Sequence, residues 1–213
     1  MTARFSLIIN AGGKSRRMGQ PKALLPVPPR GKPLLQTIVE RLQPLQPQTT
    51  IVVANDPALC QAVALPKRVR WVADHFGEVG PLGGMATGLA EITGWGLVVA
   101  CDMPWLNPVL CDQLFSLALE ENEEGQRQWD AVVPVVNGYV EPMHALYHQR
   151  CLPAMESALA AGKRRANAFL PDIRVRYVDE AWLRHYDPEL RSFANINTPE
   201  EWHALRDRFS DSV

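Results

Sequence analysis

Four short apolar runs constrain this chain most: FSLIIN (5–10), TIVVA (50–54), VRWVA (69–73) and GLVVAC (96–101). Each is rich in β-branched or large aliphatic residues, and each reads as a buried strand. Segments with helical periodicity lie between them. PLLQTIVERLQPL (33–45) has Pro33 in its first turn and sets Leu34, Leu35, Ile38, Val39, Leu42 and Leu45 on one stripe. GGMATGLAEI (83–92) and residues 107–120 read as two more helices. Strands alternating with helices pair mostly in parallel, because a parallel connection needs a crossover. The expected fold class is therefore α/β: three layers, a mostly parallel sheet with helices on both faces.

The second half changes pattern. WDAVVPVV (129–136) and YVEPMHALYH (139–148) are strand-like and flank Asn137-Gly138, a strong hairpin signal. NTPEEWHALRDRF (197–209) reads as a final helix, with Thr198 as N-cap, Pro199 at the first helical position and Glu201 completing a capping box. ENEEGQRQ (121–128) has the composition of a solvated loop, not of an interdomain linker. Residues 1–213 are expected to form a single domain.

Of 213 residues, 46% are hydrophobic, enough for one sizeable core. The formal net charge is −1, whereas a chain that tracks nucleic acid usually carries a basic excess. No apolar run approaches the ~20 residues that span a bilayer, so neither nucleic acid nor membrane is expected as a partner. Cys60, Cys101, Cys111 and Cys151 lie far apart without a C-x-x-C pair, which disfavours a zinc ribbon or a thioredoxin-like site. No signal peptide is evident, so the expected setting is cytoplasmic, with reduced thiols.

Chemistry concentrates where the apolar runs end. The first runs into NAGGKSRRMGQPK, in which Gly12 and Gly13 allow a sharp turn and close approach to a ligand. Exposed backbone N–H groups there can cradle phosphate oxygens, and Lys14, Arg16, Arg17 and Lys22 bring local positive charge. Neither G-x-x-x-x-G-K-[ST] nor G-x-G-x-x-G is present, so a P-loop or a dinucleotide fold is not indicated. The bland alternative is a solvated turn with surface cations. Asp102, in VVACDMP, places a carboxylate at the ligand edge of the sheet, where phosphoryl chemistry holds Mg²⁺ with few protein ligands; its bland alternative is a turn cap. GPLGG (80–84) offers free N–H groups to an anion from a helix start, with Asp74 just ahead. His144 and His148 have H-x₃-H spacing, but their segment looks extended and no third ligand is evident.

Taken together, NAGGKSRRMGQPKALLP (10–26), GPLGGM, CDMPWL, EPMHALYH and SFANINTPEEW resemble the molybdenum cofactor guanylyltransferase family of Rossmann-like nucleotidyltransferases. The likeness runs from about residue 5 to about 207. Asn10 stands where that family usually has leucine, and EPM (141–143) replaces its usual H-P order. The resemblance implies GMP transfer from GTP to molybdenum-molybdopterin, with Mg²⁺ as cofactor and a molybdoenzyme or cofactor-delivery protein as a possible partner. Residues 1–120 would bind the nucleotide and residues 129–213 the acceptor. Asn10, Ala11, Gly12, Gly13, Arg17, Lys22, Asn55, Asp74, Gly80 and Asp102 would contact the nucleotide. Arg16, Lys22 and Asp102 would be catalytic, Asp102 would hold the metal, and Asn195 and Asn197 would face the acceptor. The competing readings are a cytidylyltransferase for the same cofactor, a nucleotidyltransferase for another sugar or alcohol phosphate, and a non-catalytic nucleotide-binding partner in cofactor delivery.

Overall fold

A computed structural model of the chain describes residues 5–12, 19–77, 79–121, 125 and 128–203. In chain order its elements are β1 (Ser6–Asn10), β2 (Pro26–Val27), β3 (Lys32–Pro33), α1 (Leu34–Leu42), β4 (Thr50–Val53), α2 (Pro57–Ala62), β5 (Val69–Val72) and α3 (Pro81–Ala90). There follow β6 (Trp95–Ala100), α4 (Pro108–Ala118), β7 (Ala131–Val136), β8 (Tyr139–Val140), β9 (His144–His148), α5 (Leu152–Ala160), β10 (Val175–Val178) and α6 (Glu180–Tyr186).

One sheet, ordered β10-β7-β9-β6-β1-β4-β5 with β8 paired to β7, runs through both halves of the chain. β1 lies parallel to β4 and β6, β4 to β5, and β7 to β10. β9 runs antiparallel to both β6 and β7. The hairpin signal is realised: Asn137 (φ 51°) and Gly138 (φ 79°) are both left-handed, as a two-residue turn between twisted strands requires.

Side chains alternate across each central strand, and both faces are covered. Leu7, Ile9, Val52, Leu97 and Val99 pack on one side with α1 and α4, through residues such as Leu35, Ile38 and Leu114. Ile8, Ile51, Val53 and Val98 pack on the other with α3 and α5, through Met85, Leu89 and Met155. Strands buried on both faces explain why their sequences are continuously apolar. α3 begins at Pro81, ahead of its expected start, because Gly80 (φ 106°) turns the chain and Pro81 suits a first helical position. The final capping box forms: the Glu201 N–H donates to Thr198 Oγ1 (3.2 Å), and Glu201 Oε2 accepts from the Thr198 N–H (3.1 Å). That helix starts at residue 199, and its expected course beyond 203 lies outside the described residues.

His144 and His148 belong to no metal-ligating cluster among the described residues, where no three side chains of the ligating types come together. His144 is fully buried, its Nε2 lies 3.5 Å from Cys111 Sγ, and its ring packs 4.7 Å from that of Phe193. Burial pushes its pKa down from 6.5 to about 4, although Asp187 pulls the other way. A folded state that resists protonation loses stability as pH falls from the unfolded pKa toward the folded one. The His144 contribution to stability is therefore full above pH 6.5 and should fall by about 3 kcal/mol on acidification to about pH 4. Urea unfolding across that window should show the loss, and His144→Leu should reduce its slope. An unchanged slope in a folded variant would rule out His144 as its source.

Candidate active site

The site is built where β1 and β6 end side by side. Asn10 is in register with Ala100, and the Cys101 N–H donates to the Asn10 carbonyl (3.1 Å). Beyond these strand ends opens a cavity of about 360 Å³ whose lining includes Asn10, Gly12, Lys22, Asp102, Glu141 and Asn195. This is the carboxyl edge of the parallel strands, the place where doubly wound sheets take their ligands.

Lys22 and Asp102 meet there. Lys22 opens a 3-10 turn (22–24), closed by the Leu25 N–H donating to its carbonyl (3.0 Å). Its Nζ donates to Asp102 Oδ2 (2.8 Å) and to Asn197 Oδ1 (2.9 Å). Three distant stretches of chain thus converge on one ammonium. The Lys22 and Asp102 side chains are only 17% and 19% exposed, so the pair is partly withdrawn from water but open to the cavity. The Ile196 N–H donates to the Asp102 carbonyl (3.0 Å), and the buried Ile196 side chain pins the segment. Asn195 and Asn197 are exposed on either side of it. Asn195 lines the cavity, while Asn197 supports Lys22.

The glycine loop is tied to α3 by Asn10. Asn10 Nδ2 donates to the Pro81 carbonyl (3.1 Å), and its Oδ1 accepts from the Gly12 N–H (3.3 Å). The residue where leucine was expected is thus a buried strap. Gly84 lies beneath it: a Cβ there would come within 2.6 to 2.8 Å of the Asn10 amide. Gly80 also passes close to another segment, since a Cβ on it would meet the Arg164 carbonyl at 3.0 Å. The Lys163–Arg165 run therefore borders the start of α3. Sequence reasoning missed it, and three successive cations were the available signal.

Asn55 and Asp74 lie together just beyond the ends of β4 and β5. Asn55 Oδ1 accepts from the Asp74 N–H (2.7 Å). Asp74 Oδ1 accepts from the Phe76 N–H (2.9 Å) and from the Thr87 hydroxyl (3.1 Å). They hold the segment after β5 onto α3, and neither is among the residues lining the cavity. Gly13, Arg16 and Arg17 lie outside the described residues. Glu141, Pro142 and Met143 do line the cavity and were not read as site residues.

Asp102 suits a hard divalent cation. It supplies oxygen from a strand end into a cavity lined by phosphate-binding types of group, and such ions accept one or two carboxylates plus substrate oxygens. Lys22, now on that carboxylate, has the reach and charge to move onto phosphate.

Comparison with known proteins gives the family. Residues 7–177 match the family model described as MobA-like NTP transferase domain. A molybdenum cofactor guanylyltransferase of Syntrophotalea carbinolica is 33% identical, with 94% of this chain and 90% of that relative covered. A Natranaerobius thermophilus protein named "Probable molybdenum cofactor guanylyltransferase" is 32% identical over 97% of both chains. The solved molybdopterin-guanine dinucleotide biosynthesis protein A of Archaeoglobus fulgidus superposes with a TM-score of 0.80 at 28% identity, covering 97% of this chain and 100% of that one. With the nucleotidyltransferase sheet, the converging strand ends and relatives matched along nearly the whole length, the chain belongs to the MobA-like NTP transferase family and, within it, to the molybdenum cofactor guanylyltransferases.

Proposed function

We propose that this chain transfers GMP from GTP to the terminal phosphate of molybdenum-molybdopterin. A phosphate oxygen of the acceptor attacks the α-phosphorus of GTP, and the bond to the β-phosphate oxygen breaks. Pyrophosphate leaves with that bonding pair. The observation that carries the reading is the meeting of Lys22, Asp102 and Asn197 at the mouth of a cavity beside a glycine loop. Phosphoryl transfer of this kind needs position and charge neutralisation more than covalent help from the protein. No general base is assigned, since an acceptor phosphate is already anionic near neutral pH.

Lys22 binds the polyphosphate and Asp102 would hold Mg²⁺. Bound there, Mg²⁺ would neutralise phosphate charge and polarise the phosphorus under attack. Residues 1–120 bind the nucleotide, with Asn10, Ala11, Gly12, Gly13, Arg17 and Gly80 along the phosphates, and Arg16 and Lys22 on the leaving pyrophosphate. Asn55 and Asp74 shape the base side through the segment they hold. Residues 129–213 receive the acceptor. The reaction is placed in the cytoplasm, where the free thiols of Cys60, Cys101, Cys111 and Cys151 stay reduced. A molybdoenzyme or a delivery protein would take up the dinucleotide product.

Transfer of label from α-labelled GTP to the pterin, with pyrophosphate released, tests the reaction itself. The two asparagines test the acceptor assignment. Asn195→Ala should raise the KM for the acceptor about ten-fold and leave GTP affinity within about two-fold, as loss of one buried substrate hydrogen bond predicts. Asn197→Ala should weaken both substrates, because it also removes a partner of Lys22. Both side chains are exposed, so Tm should hardly move. A large fall in Tm with unaltered kinetics would show that these residues serve only the loop.

A further inference from the structure

Glu141 is the odd group in the cavity. The surroundings favour anions: a glycine loop, Lys22 and a helix start. Asp102 belongs there because Lys22 pairs with it. Glu141 has no such partner. Among the described residues no hydrogen bond or ion pair reaches its carboxylate. It is half-buried, and burial pushes its pKa upward with nothing opposing. A solvated surface glutamate would show no such effect.

The backbone around it is firmly held. The Glu141 N–H donates to the Pro134 carbonyl (2.9 Å), and its own carbonyl accepts from the His144 N–H (3.1 Å). The Ala100 N–H donates to the Met143 carbonyl (3.0 Å), and the Tyr147 hydroxyl to the Pro142 carbonyl (2.9 Å). Four hydrogen bonds fix this segment across the end of β6, yet its carboxylate is left without a donor. Unlike Asp102, which is paired with Lys22, an unpaired carboxylate without a bridging cation would repel polyphosphate. A group with adjacent N–H donors would satisfy it, in the forked geometry carboxylates favour.

Two ligand parts offer such an edge, the guanine base and the pterin ring. Position separates them. Glu141 precedes β9, which flanks β6 on the side away from β4 and β5. The Asn55–Asp74 segment lies on the other side, and Asn195 shares the cavity with Glu141. We propose that Glu141 accepts hydrogen bonds from the ring N–H and exocyclic amino group of the acceptor's aminopyrimidinone edge, and so selects a pterin as acceptor. This rests on the molybdopterin reading above and adds the residue that recognises its ring.

The test uses the full chain and the Glu141→Gln variant. Free pterin and lumazine, which carries a carbonyl in place of the 2-amino group, serve as fluorescent probes alongside turnover. The parent should prefer pterin over lumazine by about ten-fold or more, and the variant should lose that preference. The variant's KM for molybdenum-molybdopterin should rise about ten-fold, with the KM for GTP and Tm nearly unchanged. Equal probe preference in parent and variant would overturn the proposal. So would a collapsed preference for GTP over ITP in the variant, which would assign Glu141 to the base, or a raised Mg²⁺ requirement with acceptor KM unmoved, which would assign it to the metal. Failure of the parent to turn over GTP with any pterin would instead strike the proposed reaction, and the probe preference would still judge Glu141.

Discussion

Asp102→Asn is expected to lower turnover by about 10³-fold or more while the protein stays folded. The substitution keeps the shape of the side chain and removes its charge. On the proposed reading Asp102 holds the metal, while Glu141, the other acidic side chain lining the cavity, is assigned to the acceptor ring. The structural cost is small. The pair with Lys22 is largely withdrawn from water, but the amide still offers the lysine an oxygen acceptor, so the protein should stay folded. Steady-state kinetics at saturating Mg²⁺, with Tm measured on the same preparation, check this. Turnover within about ten-fold of the parent would remove Asp102 from the chemistry.

Lys22→Ala should weaken GTP by roughly 10- to 100-fold, the loss expected for one charge-assisted hydrogen bond to phosphate. The lysine is held at the cavity mouth by Asp102 and Asn197, so its ammonium is already positioned before the nucleotide enters. Folding stability should fall by about 1–3 kcal/mol, because Asp102 loses its ion-pair partner while still opening onto the cavity. Calorimetric titration with GTP and Mg²⁺ reads the difference. Equal affinity in variant and parent would make Lys22 a structural clamp for the Asn197 segment and nothing more. Lys22→Arg is a useful companion, because it keeps the charge but alters the geometry.

Much of this architecture is written locally. The core strands announce themselves because they are buried on both faces, so β1, β4 and β6 are apolar without interruption. The Asn137-Gly138 turn and the Thr198 cap depend on one or two residues each, and both were legible. Elements that bury little were not. β10 (VRYV) is an edge strand with Arg176 and Tyr177 exposed, and α6 buries only Leu183. α2 is six residues long and buries Leu59 alone. α5 is masked by small residues and by Pro153 in its first turn.

The site divides in the same way. Gly12, Lys22 and Asp102 could be read from their chemistry at strand ends. What could not be read was which of them touch. The bond from Lys22 to Asn197 spans most of the chain, and only the sheet order brings the two together. Asn55 and Asp74 carry suitable groups for a nucleotide, and one oxygen of each is engaged within the fold, Asn55 Oδ1 by the Asp74 N–H and Asp74 Oδ1 by the Phe76 N–H and the Thr87 hydroxyl. Glu141 stands in EPM, which the sequence marks only as a departure from the family's usual H-P order and not as a site residue. Its meaning comes from facing a cavity built by other elements.

Pyrophosphate release by the purified chain, with molybdenum-molybdopterin, Mg²⁺ and either GTP or CTP, tests the central claim most directly. The account predicts rapid release with GTP, one labelled guanylyl group gained per pterin, and little release with CTP or without the acceptor. Release with CTP at a rate equal to or above that with GTP, or no release with either nucleotide while GTP still binds, would contradict it.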